Sequence, residues 1–198
     1  MLKNHYQTDL LEAGMDEAGR GCYAGPVFAA AVILPPDFYH PLLNDSKQVK
    51  EKDRYELRAV IQEKALAWAV ASVEEAEIDR INILQATWKA MHLAIQNLCT
   101  KPELLLIDGN RFRSFAGIPH RCIVKGDSLF ASIAAASILA KTCRDDHMNQ
   151  LHSSYPQYGW KQNKGYGTKV HRDAILQHGL CEFHRKSFQI NPAIPSLF

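Results

Sequence analysis

Short apolar runs alternate with helical repeats along the chain, and the runs predict the strands of one sheet. Five of them have the length and apolar content of strands. EAGMDEAGR (12–20) enters a glycine loop, and VFAAAVIL (27–34) is apolar on both faces. The others are LAWAVASV (66–73), ELLLIDGN, which terminates at Asp108, and HRCIVKGD, which terminates at Asp127. Three of the five predicted strands therefore carry an acidic residue at or near their end.

Helical patterns separate and follow these runs. The first helix is predicted over 51–65, with Asp45 or Ser46 as its cap. After a turn of acidic residues, a second helix is predicted to end before Pro102. The turn contains Glu74, Glu75 and Glu77, and the helix has apolar residues at Ile83, Leu84, Trp88, Met91 and Ile95. Strands and helices in this order predict a mixed α/β fold with one central β-sheet flanked by helices.

The C-terminal part of the chain is predicted to be helical. Residues 128–148 form a long pattern rich in Ala and Ser, which suits close packing against other backbone elements. A loop over 155–168 leads into a helix over 169–179, capped by Thr168 and closed by Gly179. The last segment, SFQINPAIPSLF, is uncharged and interrupted by proline, which predicts a tail.

Composition narrows the class of protein. A chain of 198 residues with 46% hydrophobic and 22% charged residues suits a globular domain with a sizeable core. No apolar run approaches the roughly 20 residues that a membrane span needs. The N-terminus also lacks the apolar core of a secretion signal, so we expect a cytoplasmic protein. Five cysteines without a close pair, and nine scattered histidines, argue against a disulfide framework or a zinc cluster.

Charge is unevenly distributed, although the net charge is only +2. Residues 160–186 contain six Lys or Arg residues against two acids, Asp173 and Glu182. A local basic patch on a near-neutral protein suits a polyanion gripped on one face. The alternative is an ordinary solvated surface.

The acids at the predicted strand ends are the strongest chemical signal. They are Asp16, Glu17, Asp108 and Asp127. If these ends are neighbours, each close pair costs about 4 kcal/mol at 4 Å and an effective dielectric of about 20. A divalent cation relieves this cost, and all-oxygen ligands favour Mg²⁺ or Mn²⁺. Two such ions would activate a water and stabilise the leaving oxygen of a phosphodiester. Alternatively, the acids cap helices or pair with arginines separately.

Adjacent strand residues face opposite sides of a sheet. Asp16 and Glu17 can therefore share a metal site only if the chain bends or lies at an edge there, and the glycine loop that follows makes this plausible. In that loop, Gly19 and Gly21 would let backbone N–H groups approach a phosphate or a sugar, and Arg20 could neutralise a phosphate.

One further loop feature suits nucleic acid, and both it and the glycine loop also have a purely structural reading. KGYGT (164–168) places Tyr166 between glycines, where its ring could stack on a sugar or base. The alternatives are an ordinary turn at the glycines and a tyrosine ring packed on the protein's own surface.

Taken in order, MDEAGRG, NDSKQ, LLIDGN, VKGDS with AAASILAK, and KGYGT resemble the motifs of bacterial ribonuclease HII. The resemblance extends from about residue 12 to residue 188. It implies an RNase H-like fold whose catalytic core spans residues 1–150. A C-terminal loop and helix over 151–188 would contribute to substrate binding, and 189–198 would be the tail.

By matching position, the resemblance implies catalytic and metal-binding roles for Asp16, Glu17, Asp108 and Asp127. It also implies substrate binding by Gly19, Arg20, Gly21, Lys47 and Tyr166. The expected reaction is Mn²⁺- or Mg²⁺-dependent hydrolysis of RNA in RNA–DNA hybrids, and incision 5′ of single ribonucleotides in duplex DNA. Two metal ions are expected, with products ending in 3′-hydroxyl and 5′-phosphate groups. Gly167 stands where some relatives have proline, which is expected to loosen the tyrosine's loop.

Alternative functions remain open at this level. One is another nuclease of the same fold, such as a type HIII ribonuclease or a junction resolvase. Another is a non-catalytic RNA–DNA binding module, although four acids at a nucleic-acid surface would repel phosphate. We expect a monomer. The C-terminal residues PSLF (195–198) resemble the short apolar peptides that dock on the bacterial sliding clamp, so clamp docking by the tail is a further hypothesis.

Overall fold

A computed structural model describes residues 2–115 and 117–189 of the chain. Its centre is a five-stranded sheet in the order β3-β2-β1-β4-β5. The strands are β1 (Glu12–Ala18), β2 (Val27–Ile33), β3 (Ala67–Val73), β4 (Leu104–Asp108) and β5 (His120–Ile123). β1 pairs antiparallel with β2 and β2 with β3, whereas β4 lies parallel to β1 and to β5. The sheet is mixed, as predicted.

Six helices surround this sheet among the described residues. They are α1 (Glu51–Lys64), α2 (Glu75–Ile81), α3 (Ile83–Gln96), α4 (Ala131–Ser154), α5 (Trp160–Asn163) and α6 (Lys169–His178). Two short 3₁₀ turns, Gly126–Ser128 and Pro156–Tyr158, complete the secondary structure. No helix in the described part of the chain is long and apolar enough to cross a bilayer.

The two faces of the sheet carry separate parts of the core. On one face, Ala13 and Met15 of β1 pack with buried residues of α3 such as Ala90 and Met91. On the other face, the N-terminal half of α4 lies directly on β1. A Cβ at Gly14 would fall 2.2 Å from the backbone carbon of Ser132, so only glycine permits this approach. α4 is therefore fixed closely against the strand that carries the first acids.

The structure differs from the sequence predictions at three elements. β5 ends at Ile123, so Asp127 lies in the following 3₁₀ turn and not on the strand. Residues 75–81 form α2, where a turn was predicted. α1 begins after Lys50 without a side-chain cap, so the predicted capping by Asp45 or Ser46 is wrong. The cap of α6 by Thr168 is confirmed, because the Thr168 hydroxyl accepts a hydrogen bond from the His171 N–H.

The C-terminal segment packs around the stretch that follows β1. Gly165 O accepts hydrogen bonds from Tyr23 N at 2.8 Å and Ala24 N at 3.3 Å, while the N–H of Gly25 donates to the carbonyl of Phe183. Residues 22–25 are thus held between two C-terminal loops. α4 runs continuously through residue 150, where the predicted core and C-terminal part meet.

Candidate metal centre and nucleic-acid site

Three of the four predicted acids converge at one end of the sheet. Met15 of β1 lies opposite Ile107 of β4 in the parallel pair, so Asp16 and Asp108 follow at the same level of adjacent strands. The turn after β5 brings Asp127 to the same place. One carboxylate oxygen from each of the three lies within 4.8 Å of the others.

Local hydrogen bonds orient these carboxylates. The N–H of Glu17 donates to Asp16 Oδ1 at 2.7 Å, and the N–H of Gly126 donates to Asp108 Oδ1, also at 2.7 Å. Lys125 adopts a left-handed conformation with φ 56°, which turns the chain sharply before Asp127. The turn that carries the third acid is therefore tied to the strand that carries the second.

Burial and mutual repulsion make the cluster costly. Burial, followed by the charges of Glu17 and Asp108, raises the pKa of Asp16 well above its ordinary value. Burial and the charge of Asp108 likewise raise the pKa of Asp127 to about 6. Because adjacent carboxylates cannot all be charged cheaply, this donor set suits a divalent cation.

Glu17 lies outside the group of three. β1 continues as far as Ala18, and Glu17 lies beside residues of α3 such as Trp88, yet its charge still raises the pKa of Asp16. A sheet-edge position was expected at these residues. It is found on one side of β1 only, because the pairing of β1 with β4 stops at Met15 while its pairing with β2 continues. The Glu17 carboxylate accepts a hydrogen bond from Arg20 Nη1 at 3.1 Å. Burial raises the pKa of Glu17, and the Arg20 guanidinium opposes that rise.

A cavity of about 350 Å³ opens on this second face of the acidic end. Glu17, Arg20 and Asp108 line one part of it, and Trp88 and Arg111 line another. Glu17 and Asp108 are therefore accessible from the α3 side of the sheet, whereas Asp16 is 7% exposed and does not line this cavity.

Lys47 lies beside the acids, in the loop before α1. Partial burial lowers its pKa, but the charges of Asp45, Asp127 and Asp16 outweigh that effect and raise the pKa overall. Asp45 accepts a hydrogen bond from the N–H of Lys47 at 2.9 Å and also contributes to the raised pKa of Asp127. Sequence reasoning assigned Asp45 to a helix cap and missed its place beside the carboxylates.

The predicted glycine loop follows the acids directly. Gly19 has φ 95°, and a Cβ there would fall 2.0 Å from Nε of Arg144. At Gly21, by contrast, an added Cβ would meet no atom of the described residues within 4 Å. Gly19 is therefore required by the protein's own packing, whereas Gly21 faces open space at the surface.

Tyr166 lies next to this loop. It forms a β-bridge with Cys22, and the residue is 43% exposed. Gly167 packs against the ring of Tyr23, where a Cβ would fall 2.4 Å from Cε2. The expectation that glycine at 167 loosens the loop overlooked this contact. The bridge between Cys22 and Tyr166 joins the tyrosine loop to the residues that directly follow the glycine loop.

The predicted basic patch is smaller than its sequence suggests. Arg185 is fully buried, and Lys164 is 9% exposed with its Nζ donating to Asn149 Oδ1 at 2.6 Å. Lys169 forms an ion pair with Asp173. The interpretation of residues 160–186 as a basic surface was therefore wrong for part of the segment, because two of its charges are internal.

Two buried arginines hold the loops together, and one of them, Arg185, was predicted to lie on the basic surface. Arg144 of α4 donates to the carbonyls of Pro26, Ala24 and Lys164. Arg185 donates to the carbonyls of Gly25 and Arg20. Burial lowers the pKa of Arg185 to about 10. Local sequence patterns do not show that an arginine will be buried with its guanidinium against backbone carbonyls.

Solved structures of known proteins share this architecture. The crystal structure of ribonuclease H2 from Pyrococcus horikoshii OT3 superposes with a TM-score of 0.75 at 23% identity, covering 90% of this chain and 94% of that one. Bst-RNase HIII in complex with Mn²⁺ gives 0.74 at 20% identity, covering 90% and 67%. The fold is therefore RNase H-like, with a cluster of acids at the end of its sheet.

Sequence comparison specifies the family. The family model for ribonuclease HII matches residues 13–191. Ribonuclease HII from Bacteroides thetaiotaomicron is 60% identical over 190 residues, covering 96% of this chain and 95% of that protein. The homologue from Parabacteroides distasonis is also 60% identical, over 192 residues, covering 97% and 96%. The chain belongs to the ribonuclease HII family.

Membership decides between the functional alternatives. The protein is a metal-dependent endoribonuclease that hydrolyses RNA in RNA–DNA hybrids. The hypothesis of a non-catalytic binding module is wrong, and the resemblance drawn from the five sequence motifs is confirmed.

Proposed function

We propose that this ribonuclease also incises duplex DNA on the 5′ side of a single embedded ribonucleotide. The observation that carries the proposal is the juxtaposition of the three carboxylates with the loops of Gly19–Gly21 and Tyr166. A site that must recognise one ribose needs to read its 2′-OH, the only group that distinguishes that sugar from deoxyribose. Backbone groups at the open surface of Gly21 can approach a sugar closely.

We assign the four acids, Asp16, Glu17, Asp108 and Asp127, as catalytic residues and ligands of two divalent ions, Mn²⁺ or Mg²⁺. The support is an all-oxygen donor set in which buried carboxylates repel one another, the pattern that hard cations relieve. The bound ions supply Lewis-acid stabilisation of the phosphodiester and of the groups that attack and leave it. Glu17 would approach from the α3 face and the three aspartates from the sheet end.

The neighbouring residues bind and orient the substrate. Arg20 and Lys47 are charged side chains beside the carboxylates and would contact backbone phosphates. Gly19 and Gly21 would give the sugar access to backbone N–H groups. The half-exposed ring of Tyr166 would stack on the deoxyribose that follows the ribonucleotide, so that the site reads a junction. The Tyr166 loop lies within residues 151–188, the C-terminal part to which we assign a contribution to substrate binding.

The test uses a DNA duplex with one internal ribonucleotide, labelled at the 5′ end, with Mg²⁺, Mn²⁺ or EDTA. An all-DNA duplex and a long RNA–DNA hybrid are run beside it. We expect a metal-dependent cut 5′ of the ribonucleotide that leaves a 3′-hydroxyl. Cleavage of the hybrid alone would overturn the proposed incision while leaving the family's activity intact.

The role of Tyr166 is tested by a matched pair of variants. Tyr166→Phe keeps the ring and removes only the hydroxyl, whereas Tyr166→Ala removes the stacking surface, worth about 1–3 kcal/mol per base in single-strand binding. We expect the ratio of single-ribonucleotide to hybrid cleavage to fall roughly tenfold or more in the alanine variant and little in the phenylalanine variant. Equal ratios in all three proteins would contradict the stacking role.

Three further expectations stay predictions. The protein is predicted to be a cytoplasmic monomer. Docking of the tail on a sliding clamp falls on residues 195–198, outside the described residues. A pull-down with the clamp, comparing the full chain with a chain truncated at Ala193, would test it.

A further inference from the structure

A buried network of hydrogen-bonded side chains lies beneath the Tyr166 loop. His171 is in the first turn of α6, and its Nδ1 lies 2.9 Å from the carbonyl oxygen of Tyr166. Its Nε2 lies 3.0 Å from Trp160 Nε1 and 3.2 Å from His184 Nε2. His171 and Trp160 are fully buried, and His184 is 1% exposed. The catalytic roles proposed above use none of these three side chains.

The hydrogen-bond partners determine which nitrogen of His171 carries the proton. An indole Nε1–H can only donate, so His171 Nε2 must accept from Trp160. In the neutral imidazole the proton is then on Nδ1, which donates to Tyr166 O. Burial lowers the pKa of His171, so the neutral form is the one present at pH 7. The buried indole therefore sets the tautomer that holds the Tyr166 backbone.

His184 is oriented in the same way. The backbone N–H of Cys181 donates to His184 Nδ1 at 3.0 Å, which leaves the proton of the neutral ring on Nε2. That proton points to His171 Nε2. Aromatic packing fixes the arrangement, since the ring of Tyr158 stacks on Trp160 with centroids 5.0 Å apart and meets His184 edge-on at 4.7 Å. Both donors therefore converge on one acceptor nitrogen.

We propose that His171, held in this tautomer by Trp160 and His184, is a positioning residue that fixes the Tyr166 backbone and so sets the preference for ribonucleotide junctions. The proposal rests on the junction role given to Tyr166 above. The Tyr166 carbonyl also accepts from the N–H of Thr168 at 2.8 Å, so loss of the His171 bond changes its orientation without leaving it unpaired. The same loop forms the bridge to Cys22 beside the glycine loop.

Two isosteric variants separate positioning from simple stability. His171→Asn places an amide N–H near Nδ1 and keeps the donor to Tyr166, but it removes the acceptor for Trp160 and His184. His171→Gln places an amide oxygen near Nε2 and keeps that acceptor, but it removes the donor to Tyr166. Because leaving buried donors unpaired is the larger cost, we expect the asparagine variant to be the less stable of the two.

The expected order of selectivity is the reverse of the order of stability. The ratio of single-ribonucleotide to hybrid cleavage should fall roughly tenfold in His171→Gln, within the 10²-fold that a misplacement of about 1 Å costs, and stay near wild type in His171→Asn. Assays are run well below both melting temperatures, and the metal concentration for half-maximal hybrid cleavage should be unchanged. A purely structural role predicts that selectivity follows stability, and that order would overturn the proposal.

A spectroscopic measurement does not depend on the substrate. In protein labelled with ¹³C at the tyrosine carbonyls, the Tyr166 signal should shift in His171→Gln and keep its position in His171→Asn. An unmoved signal in both variants would overturn the positioning role. If wild-type protein cleaves only the hybrid, the proposed junction function fails instead, and the carbonyl signal still decides whether His171 holds the loop.

Discussion

The carboxylate end of the sheet and the histidine pair beneath the Tyr166 loop are both buried polar clusters, but they differ in charge and in hydrogen bonding. Asp16, Asp108 and Asp127 present like charges within 4.8 Å, and burial and repulsion raise the pKa of Asp16 and Asp127. His171 and His184 are neutral, and both nitrogens of each ring have partners. The first cluster needs a ligand to complete it, whereas the second is complete within the protein and can only orient what lies above it.

The largest expected effect comes from removing one charge of the carboxylate cluster. Asp16→Asn keeps an acceptor for the Glu17 N–H but should lower hybrid cleavage by about 10³-fold or more, while substrate binding stays largely intact. The folded pKa of Asp16 is raised, so its favourable contribution exists at low pH and is lost as pH rises through that pKa.

The metal-free asparagine variant should therefore be more stable than metal-free wild type at pH 8, by roughly 1 kcal/mol. Melting curves in EDTA and in Mn²⁺ check this, because added Mn²⁺ should stabilise the wild type more than the variant. Retained activity, or a less stable metal-free variant, would contradict the assignment of Asp16 to a charge-repelled metal site.

The glycine loop between the two clusters allows a second, matched comparison. Gly19→Ala forces a side chain into a left-handed backbone and against Arg144, so we expect a loss of about 2–4 kcal/mol in the free energy of unfolding. Gly21→Ala should change stability by less than about 0.5 kcal/mol, because the position is open. Urea denaturation measures both.

Cleavage assays then separate structure from recognition in this loop. If Gly21 admits the substrate sugar, the stable Gly21→Ala variant should still cleave single ribonucleotides more slowly than wild type. Unchanged kinetics would show that this glycine has no part in substrate access.

A third comparison is the acid sensitivity of the histidine pair. Burial, followed by the nearby His171, lowers the pKa of His184 from its ordinary 6.5 to about 4. A base whose folded pKa is depressed contributes stability above its unfolded pKa and loses it as pH falls. Stability should therefore decrease between about pH 6.5 and pH 4, by up to about 3 kcal/mol at 1.36 kcal/mol per pKa unit.

The control for this pH dependence is His184→Gln, which cannot gain the charge. Its melting temperature should fall less than that of wild type over the same pH interval. Parallel curves for the two proteins would show that His184 is not responsible.

Much of the fold could be predicted because apolar periodicity reports burial directly. β2 and β4 lie where continuous apolar runs placed them, and α6 has the cap that Thr168 suggested. β5 was predicted to be longer than it is because Lys125 adopts a left-handed backbone conformation, which a lysine in the sequence does not indicate. α2 was read as a turn because its acids obscured the buried Ile78, although acids in a first helical turn are favourable.

The residues of the site could be predicted from the sequence where they lie at the ends of predicted strands. Asp16 and Asp108 follow from parallel strand ends, and the motifs of the family supplied the remaining assignments. That Glu17 lies outside the group of three aspartates depends on the placement of its side chain at the end of β1, which local sequence does not report. The internal positions of Arg144 and Arg185 depend on carbonyls more than 100 residues away in sequence, a relation that local patterns do not contain.

The pairing of residues 22–25 with Gly165 and with residues 183–185 also bears on synthesis of the protein. On the ribosome, the loop that follows β1 emerges early, yet its partners follow some 140 to 160 residues later. Contacts of such long range slow folding, because a large loop must close before they form. A nascent chain thus carries its first two acids long before it has a surface to hold nucleic acid against them. We therefore expect cleavage activity to appear late in synthesis, once the C-terminal segment has packed against the loop that follows β1.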